Sequence, residues 1–213
     1  MPLLDLLAPP RCPLCRERGT ALPVCERCRR LLESEPGIAV PTPGLTPTTA
    51  AVRYDGVGRR LVIALKFGRL RGLAPFAAGL LARRLAAADF GRTLVPVPAS
   101  PLRRARRGFD PAEELARALG GVTGMRWEDP LRRRDLRHQR GRGRQARLAS
   151  PPRVTVRGVP PPRPLLLDDV VTTGATVDAC ARALERAGSG PVLALALAAS
   201  SAGGAGCDPR QRA

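Results

Sequence analysis

The chain has 213 residues and carries 36 basic against 18 acidic side chains, a formal net charge of +18. At 22.6 kDa with 44% apolar residues it can bury a core without disulfides, which excludes wholesale disorder and fits one domain of ordinary size with a small appendage. Every base except Lys66 is arginine, and six aromatics leave little material for a nucleic-acid surface of stacked rings; the charge still points to polyanions, whether nucleic acid or polyphosphorylated small molecules.

The first ten residues contain Asp5 and lack the basic start of a secretory signal, and no apolar run reaches the length of a membrane span. The expectation is a soluble, cytoplasmic protein. Four of the six cysteines fall within seventeen residues as two C-x-x-C knuckles, Cys12/Cys15 and Cys25/Cys28, separated by nine residues. Each knuckle sets two thiolates on one side of a tight turn, and two such turns supply the tetrahedral sulfur set that Zn²⁺ prefers. Four protein sulfurs leave no position for water, so a structural rather than catalytic zinc is expected in a module over residues 1–33. The bland alternative is four unrelated buried thiols. Arginines 11, 16, 18, 27, 29 and 30 surround the knuckles and would offset a four-thiolate charge, or touch phosphates. Cys180 reads as a small core residue, and Cys207 lies in a Gly-rich tail.

Residues 34–49 are rich in Pro, Thr and Gly without periodicity, and are expected to form an extended linker. Beyond it, strands are predicted over 50–54, 93–97, 165–167 and 192–198, and helices over 58–67, 73–88, 110–119 and 177–187. Asp110-Pro111-Ala112-Glu113 carries a helix-start signature, with an acceptor at the N-cap, proline at the first position and an acid at the third. Strands alternating with helices imply βαβ units and a mostly parallel α/β sheet over residues 50–200, followed by a disordered tail over 201–213.

Leu165 to Thr176 joins a buried strand to a helix start through acids, hydroxyls and glycine. In an open parallel sheet, ligands bind at the carboxyl ends of strands, where this loop must lie. The hydroxyls of Thr172, Thr173 and Thr176, with the free amides of the incoming helix, form an anion cradle that Gly174 lets a phosphate approach. Asp168 and Asp169 would repel a phosphate there, so they suit sugar hydroxyls or hydrated Mg²⁺; a phosphorylated ribose satisfies both ends. The alternative is that the acids cap a helix and the threonines fill turns.

This string resembles the phosphoribosyl-pyrophosphate signature of type I phosphoribosyltransferases. The order of zinc knuckles, Leu65-Lys66-Phe67, Val95-Pro96-Val97-Pro98, Arg107-Gly108-Phe109 and the D-D-V-x-T-T-G loop is similar to the ComF competence-protein family, over about residues 11–199. The chain departs from the usual pattern at Asp110, where asparagine is common, at Arg134-Asp135-Leu136-Arg137-His138-Gln139, and at Ser150. The resemblance implies a type I phosphoribosyltransferase-like sheet flanked by helices, with Asp168 and Asp169 on the ribose hydroxyls, and Val170, Thr172, Thr173, Gly174 and Thr176 in the loop that holds the 5-phosphate. It also implies pyrophosphate donors in turns after Val95 and around Arg103 and Arg107, and a loop over 130–150, with Arg134 and Gln139, closing over the site. That loop carries eight arginines against Asp135. It would stabilise a leaving pyrophosphate, or it is a solvated basic segment or a polynucleotide contact.

Lys66, the sole lysine, sits where a helix ends, near the expected site; a compact ammonium there suits phosphate or carboxylate in a confined space, unless one lysine simply survived by chance. His138 is given no acid–base role. Two functions follow from the resemblance. One is a protein that binds phosphoribosyl pyrophosphate with Mg²⁺, with Asp168, Asp169 and Lys66 as its catalytic candidates if it turns over. The other is a DNA-associated competence factor that contacts single-stranded DNA or a helicase partner during DNA uptake; a non-catalytic sensor of the same ligand is a weaker third.

Overall fold

The structure, a computed structural model, describes residues 11–18, 23–44, 46–67, 71–133 and 152–200. In chain order its elements are α1 (Glu26–Glu33), β1 (Ile38–Ala39), β2 (Thr48–Arg53), α2 (Gly56–Phe67), α3 (Ala74–Ala82), β3 (Thr93–Pro96), α4 (Pro101–Arg107), α5 (Pro111–Thr123), β4 (Leu131–Arg133), β5 (Val154–Val156), β6 (Pro164–Val171), α6 (Ala175–Arg186) and β7 (Leu193–Ala199). The main sheet has the order β1-β2-β7-β6-β3, with β1 antiparallel to β2 and every other pairing parallel. The expected α/β class with a mostly parallel sheet is what the chain adopts.

Parallel sheets are buried on both faces, and the apolar residues of these strands divide accordingly. On one face Leu94, Leu165, Leu167, Leu195 and Leu197 pack against α2, α3 and α5. On the other, Val95, Leu166, Ala194 and Ala196 meet α6 and the two-stranded β4–β5 hairpin through Leu131, Val177, Cys180 and Leu184. Cys180 is fully buried there, as expected of a small core residue. Small side chains on β7 let helices lie close on both sides, which explains why Ala, Leu and Val suffice for a core with few aromatics.

Asp110 caps α5 as its sequence signature requires, accepting a hydrogen bond from Ala112 N at 3.1 Å, and the helix runs on to a left-handed Gly124. Four differences from the sequence reading concern the site. First, β6 continues to Val171, so Asp168 and Asp169 are strand residues and not loop residues; backbone bonding to β7 through the Asp168–Ala196 and Val170–Ala198 pairs overrides the weak strand propensity of aspartate. Second, residues 34–49 are not simply extended: Ile38–Ala39 add an edge strand, and Thr42, Thr46 and Thr48 are buried. Third, residues 101–107 form α4 rather than a turn, started by Pro101 and closed by a left-handed Gly108. Fourth, the beginning of the 130–150 segment, Leu131–Arg133, is strand β4, paired to Val154–Val156. The rest of that segment, with Arg134 and Gln139, the tail over 201–213 and residues 1–10 lie outside the described residues.

Candidate functional site

The four knuckle cysteines converge, with the sulfurs of Cys12, Cys15, Cys25 and Cys28 all within 4.8 Å of one another. Sulfurs bound at 2.3 Å around a tetrahedral centre are about 3.8 Å apart, so this set fits zinc. Cys25 N donates to Cys12 Sγ at 3.4 Å, the amide–sulfur bond a tight knuckle turn offers, and Cys25 is the residue from which α1 departs. Burial lifts the Cys12 thiol, but the backbone amides of Cys25, Cys15 and Leu14 outweigh it and bring it down to about 7. Burial, with Cys15 and Cys25 alongside, pushes Cys28 up. Crowded sulfurs cannot all ionise together without a cation, and a divalent metal relieves that conflict.

The second constellation lies at the carboxyl end of β6. Adjacent strand residues alternate in direction, so Asp168 and Asp169 address different faces. Asp169 turns toward the α2 side, where its Oδ2 lies 3.1 Å from Lys66 Nζ, both side chains less than a fifth exposed. β6 stands two places from β2 in the sheet, so α2, leaving the end of β2, brings its penultimate residue across β7 to reach it. Asp168 lies within the field of Cys180 on α6, and its Oδ1 accepts from Asp169 N at 2.8 Å. Burial, with Asp169 beside it, raises the Asp168 carboxyl to about 8 despite the Lys66 ammonium.

A third carboxylate completes the group. Asp110, 5% exposed, uses one oxygen for its helix cap and the other to accept from Ala99 N at 2.8 Å, fixing the loop after β3 to the start of α5. Burial raises its pKa, those two amides oppose the rise, and Asp169 adds to it. Arg107 at the end of α4 is depressed by burial and supported by the charges of Asp169 and Asp110. Its guanidinium lies 5.0 Å from the centroid of the Phe67 ring. Three acids therefore share two cations, Lys66 and Arg107, within one polar focus.

Beside it runs the turn from β6 into α6. Gly174 takes φ +73° there, and a Cβ at that position would lie 2.5 Å from Thr42 Cγ2. The space saved by this glycine is thus filled by Thr42 from the segment between β1 and β2. Thr42 is held in turn: its hydroxyl donates to Thr46 O at 3.1 Å, while the buried Asp178 accepts from Gly44 N at 2.5 Å and Thr46 N at 3.4 Å. Asp178 belongs to the first turn of α6, so one carboxylate joins the helix to a turn 134 positions earlier in the chain.

The structure brings Lys66, Asp168, Asp169 and Arg107 together, with Thr172 and Thr173 on the adjoining turn, Thr176 in the first turn of α6 and Val170 half-buried in β6. Arg103 stays exposed on α4, where its charge is felt by Arg107. Sequence reading assigned no role to Phe67, Asp178 or the Thr42 turn. Asp178 carries no local signal, because its partners lie on another part of the chain. Asp110 was legible as a cap but not as a member of the carboxylate group.

Among curated proteins the chain is similar to the competence protein ComFC of Streptococcus pneumoniae (strain ATCC BAA-255 / R6), 37% identical over 105 residues, 48% of this chain and 46% of that protein. The match thus spans less than half the length of that relative, and it bears out the resemblance to the ComF family read from the motifs. No protein-family model matches the chain. Among solved structures it is similar to an allosteric regulatory enzyme of purine biosynthesis, with 14% identity, TM-score 0.44 and coverage of 64% of this chain and 30% of that one. It is also similar to a hypoxanthine phosphoribosyl transferase of Trypanosoma cruzi, with 13% identity, TM-score 0.38 and coverage of 61% and 66%. These are coarse likenesses, and the fold description rests on the strand order and helix placement above.

Proposed function

We propose that the chain binds phosphoribosyl pyrophosphate, or a related ribose phosphate, and that it can pass the phosphoribosyl group to an acceptor. The observation that carries this reading is the Lys66–Asp169 pair at 3.1 Å, which lies in the field of Arg107 on the strand that leads into residues 172–176. Carboxylates accept hydrogen bonds from sugar hydroxyls, while threonine hydroxyls and helix-start amides hold a phosphate, so one ligand spans both. Lys66 neutralises Asp169 when no ligand is present, and a ligand hydroxyl that takes over the carboxylate leaves the ammonium free to face a phosphate oxygen. Mg²⁺ fits the same carboxylates, which would hold it through Asp168 and Asp169, and when bound it supplies positive charge to the phosphates of the ligand.

In the transfer, a lone pair on an acceptor nitrogen forms the new bond to the anomeric carbon of ribose. The bond from that carbon to the pyrophosphate oxygen breaks with its electron pair going to the oxygen, and an acceptor N–H proton is lost to solvent. The protein positions the reactants, and Arg107 stabilises the departing charge. Calorimetry with phosphoribosyl pyrophosphate and Mg²⁺ tests binding: the wild-type chain binds, and joint Asp168→Asn and Asp169→Asn substitution abolishes the heat. Pyrophosphate release across a panel of nucleobases tests turnover; wild-type binding that survives the double substitution sinks the assignment.

A second reading has its own support, namely the competence protein among the relatives and the exposed Arg103, Arg104 and Arg106 on α4. In this reading the chain contacts single-stranded DNA, or a helicase during DNA uptake, without turnover. Counterion release predicts that oligonucleotide affinity falls steeply with salt, and that neutralising these arginines flattens the slope by about one phosphate per residue removed. An unchanged slope would remove this reading's main support.

A further inference from the structure

Residues 172–174 join β6 to α6, and Asp178 holds this connection twice. Its amide donates to Gly174 O at 2.9 Å, the first bond of the helix. Its carboxylate, on a residue only 1% exposed, accepts from Gly44 N at 2.5 Å and Thr46 N at 3.4 Å. An acid in the first turn suits the helix dipole, but an exposed acid would serve that end equally well. Burying the charge is unfavourable unless hydrogen bonds compensate it, and here the amides of a distant turn do so. That turn lies directly against the connection: a Cβ on Gly174 would stand 2.5 Å from Thr42 Cγ2 and 3.0 Å from Thr42 Cα. The approach to Asp178 is as close. A Cβ on Gly44 would lie 2.7 Å from Asp178 Cγ, and Gly44 is outside the left-handed region, so nearness to the carboxylate is what disfavours a side chain there. The Thr42 hydroxyl closes the turn on Thr46 O at 3.1 Å.

We propose that Asp178 is a positioning residue for phosphate binding: by seating the Thr42 turn on Gly174, it keeps residues 172–174 in their binding shape before a ligand arrives. This rests on the ribose-phosphate reading and adds to it a residue that acts through Gly174 and Thr42. A phosphate at a helix start is held by amides whose directions depend on the connection that precedes the helix. A connection shaped in advance need not be ordered at the moment of binding, and that ordering otherwise subtracts from affinity. Charge alone predicts the opposite sign. A carboxylate in the first turn repels a phosphate at the same helix start, so its neutralisation would strengthen binding.

The test pairs calorimetry of the full chain with ribose 5-phosphate and Mg²⁺ with hydrogen exchange of segment 170–178 in the unliganded protein. Wild type binds. Asp178→Asn leaves one acceptor for two amides, and Gly44→Ala pushes the turn off the carboxylate; each weakens binding roughly tenfold and speeds exchange in 170–178. Thr42→Ser keeps the hydroxyl but removes the methyl that faces Gly174, and it moves both readouts the same way by a smaller amount. Gly44→Ala adds little in the Asp178→Asn background, because both act through one contact. Should Asp178→Asn fail to fold, Gly44→Ala and Thr42→Ser carry the same expectation. Ribose 5-phosphate affinity that holds or rises in the folded variants overturns the positioning role and leaves the ribose-phosphate site standing. Exchange that rises equally in β2, β7 and 170–178 overturns it too, since Asp178 then supports the fold as a whole. If ribose 5-phosphate does not bind the wild-type chain, the ribose-phosphate reading falls and this role with it.

Discussion

Lys66 and Asp168 illustrate how single side chains set the chemistry here. The ammonium of Lys66 lies 3.1 Å from Asp169 in a space where both side chains are largely enclosed. A guanidinium is wider and planar, so an arginine at position 66 would meet Asp169 with a different contact geometry. Lys66→Arg is expected to weaken phosphoribosyl pyrophosphate binding by about tenfold, a change in line with losing one well-placed charged contact, as measured by calorimetry; equal affinity removes the special role of the ammonium. Asp168 sets a pH dependence. Its carboxyl is raised to about 8 by burial and by Asp169, from an ordinary value near 3.8. The folded chain therefore holds a proton that the unfolded chain has released between those values, and the unliganded, metal-free protein loses stability as pH rises through that window. A ligand that needs an ionised carboxylate must expel the same proton. Affinity for phosphoribosyl pyrophosphate should accordingly strengthen from pH 6 toward pH 8, with proton release visible as a heat that varies with buffer ionisation enthalpy. A binding heat independent of buffer excludes Asp168 as the titrating group.

At the scale of elements, what could be read from the chain was what local pattern encodes. The capping signature at Asp110 and the apolar runs of β6 and β7 were legible because each depends on residues close in sequence. The length of β6 was not, since aspartate is a poor strand former and only its β7 partner holds Asp168 in register. Nor was the Thr42 turn, whose bonds run to Asp178. Gly174 shows the consequence most sharply. Its left-handed φ of +73° is shared by Gly124 at +74°, but a Cβ on Gly124 meets nothing within 4 Å whereas one on Gly174 would strike Thr42. Gly124→Ala thus isolates the backbone cost, about 1–2 kcal/mol. Gly174→Ala adds overpacking of roughly 1–3 kcal/mol. Denaturant unfolding of the two variants measures the difference, and equal losses would mean that the Thr42 turn moves aside freely.

Across the molecule, the described residues hold two centres rich in anionic groups, the four-sulfur cluster and the group of Asp110, Asp168 and Asp169. Arginines flank the sulfur cluster, and Arg107 and Lys66 face the carboxylates. The sequence motifs located both centres; what they could not convey is that the centres share one core. Leu14, Val24, Cys25, Cys28 and Leu32 belong to the same buried cluster as Leu61 and Leu65 of α2 and Leu81 of α3, and Glu33 pairs with Arg83 at 3.7 Å beyond it. The sulfur module therefore packs on the helix that carries Lys66 to Asp169. Metal binding to four thiolates is coupled to the folding of what surrounds them, so loss of the ion should loosen α1 and expose part of the apolar side of α2. Removing zinc with a chelator, or replacing Cys28 by serine, is expected to lower the melting temperature of the whole chain and to weaken phosphoribosyl pyrophosphate binding, even though none of the four knuckle cysteines belongs to the Asp168–Asp169 group. Calorimetric scanning with a metal assay on the same sample checks this. One transition that shifts downward as zinc leaves shows a shared core; a small transition that disappears while the main one holds its temperature and its ligand affinity shows that the module is an independent appendage.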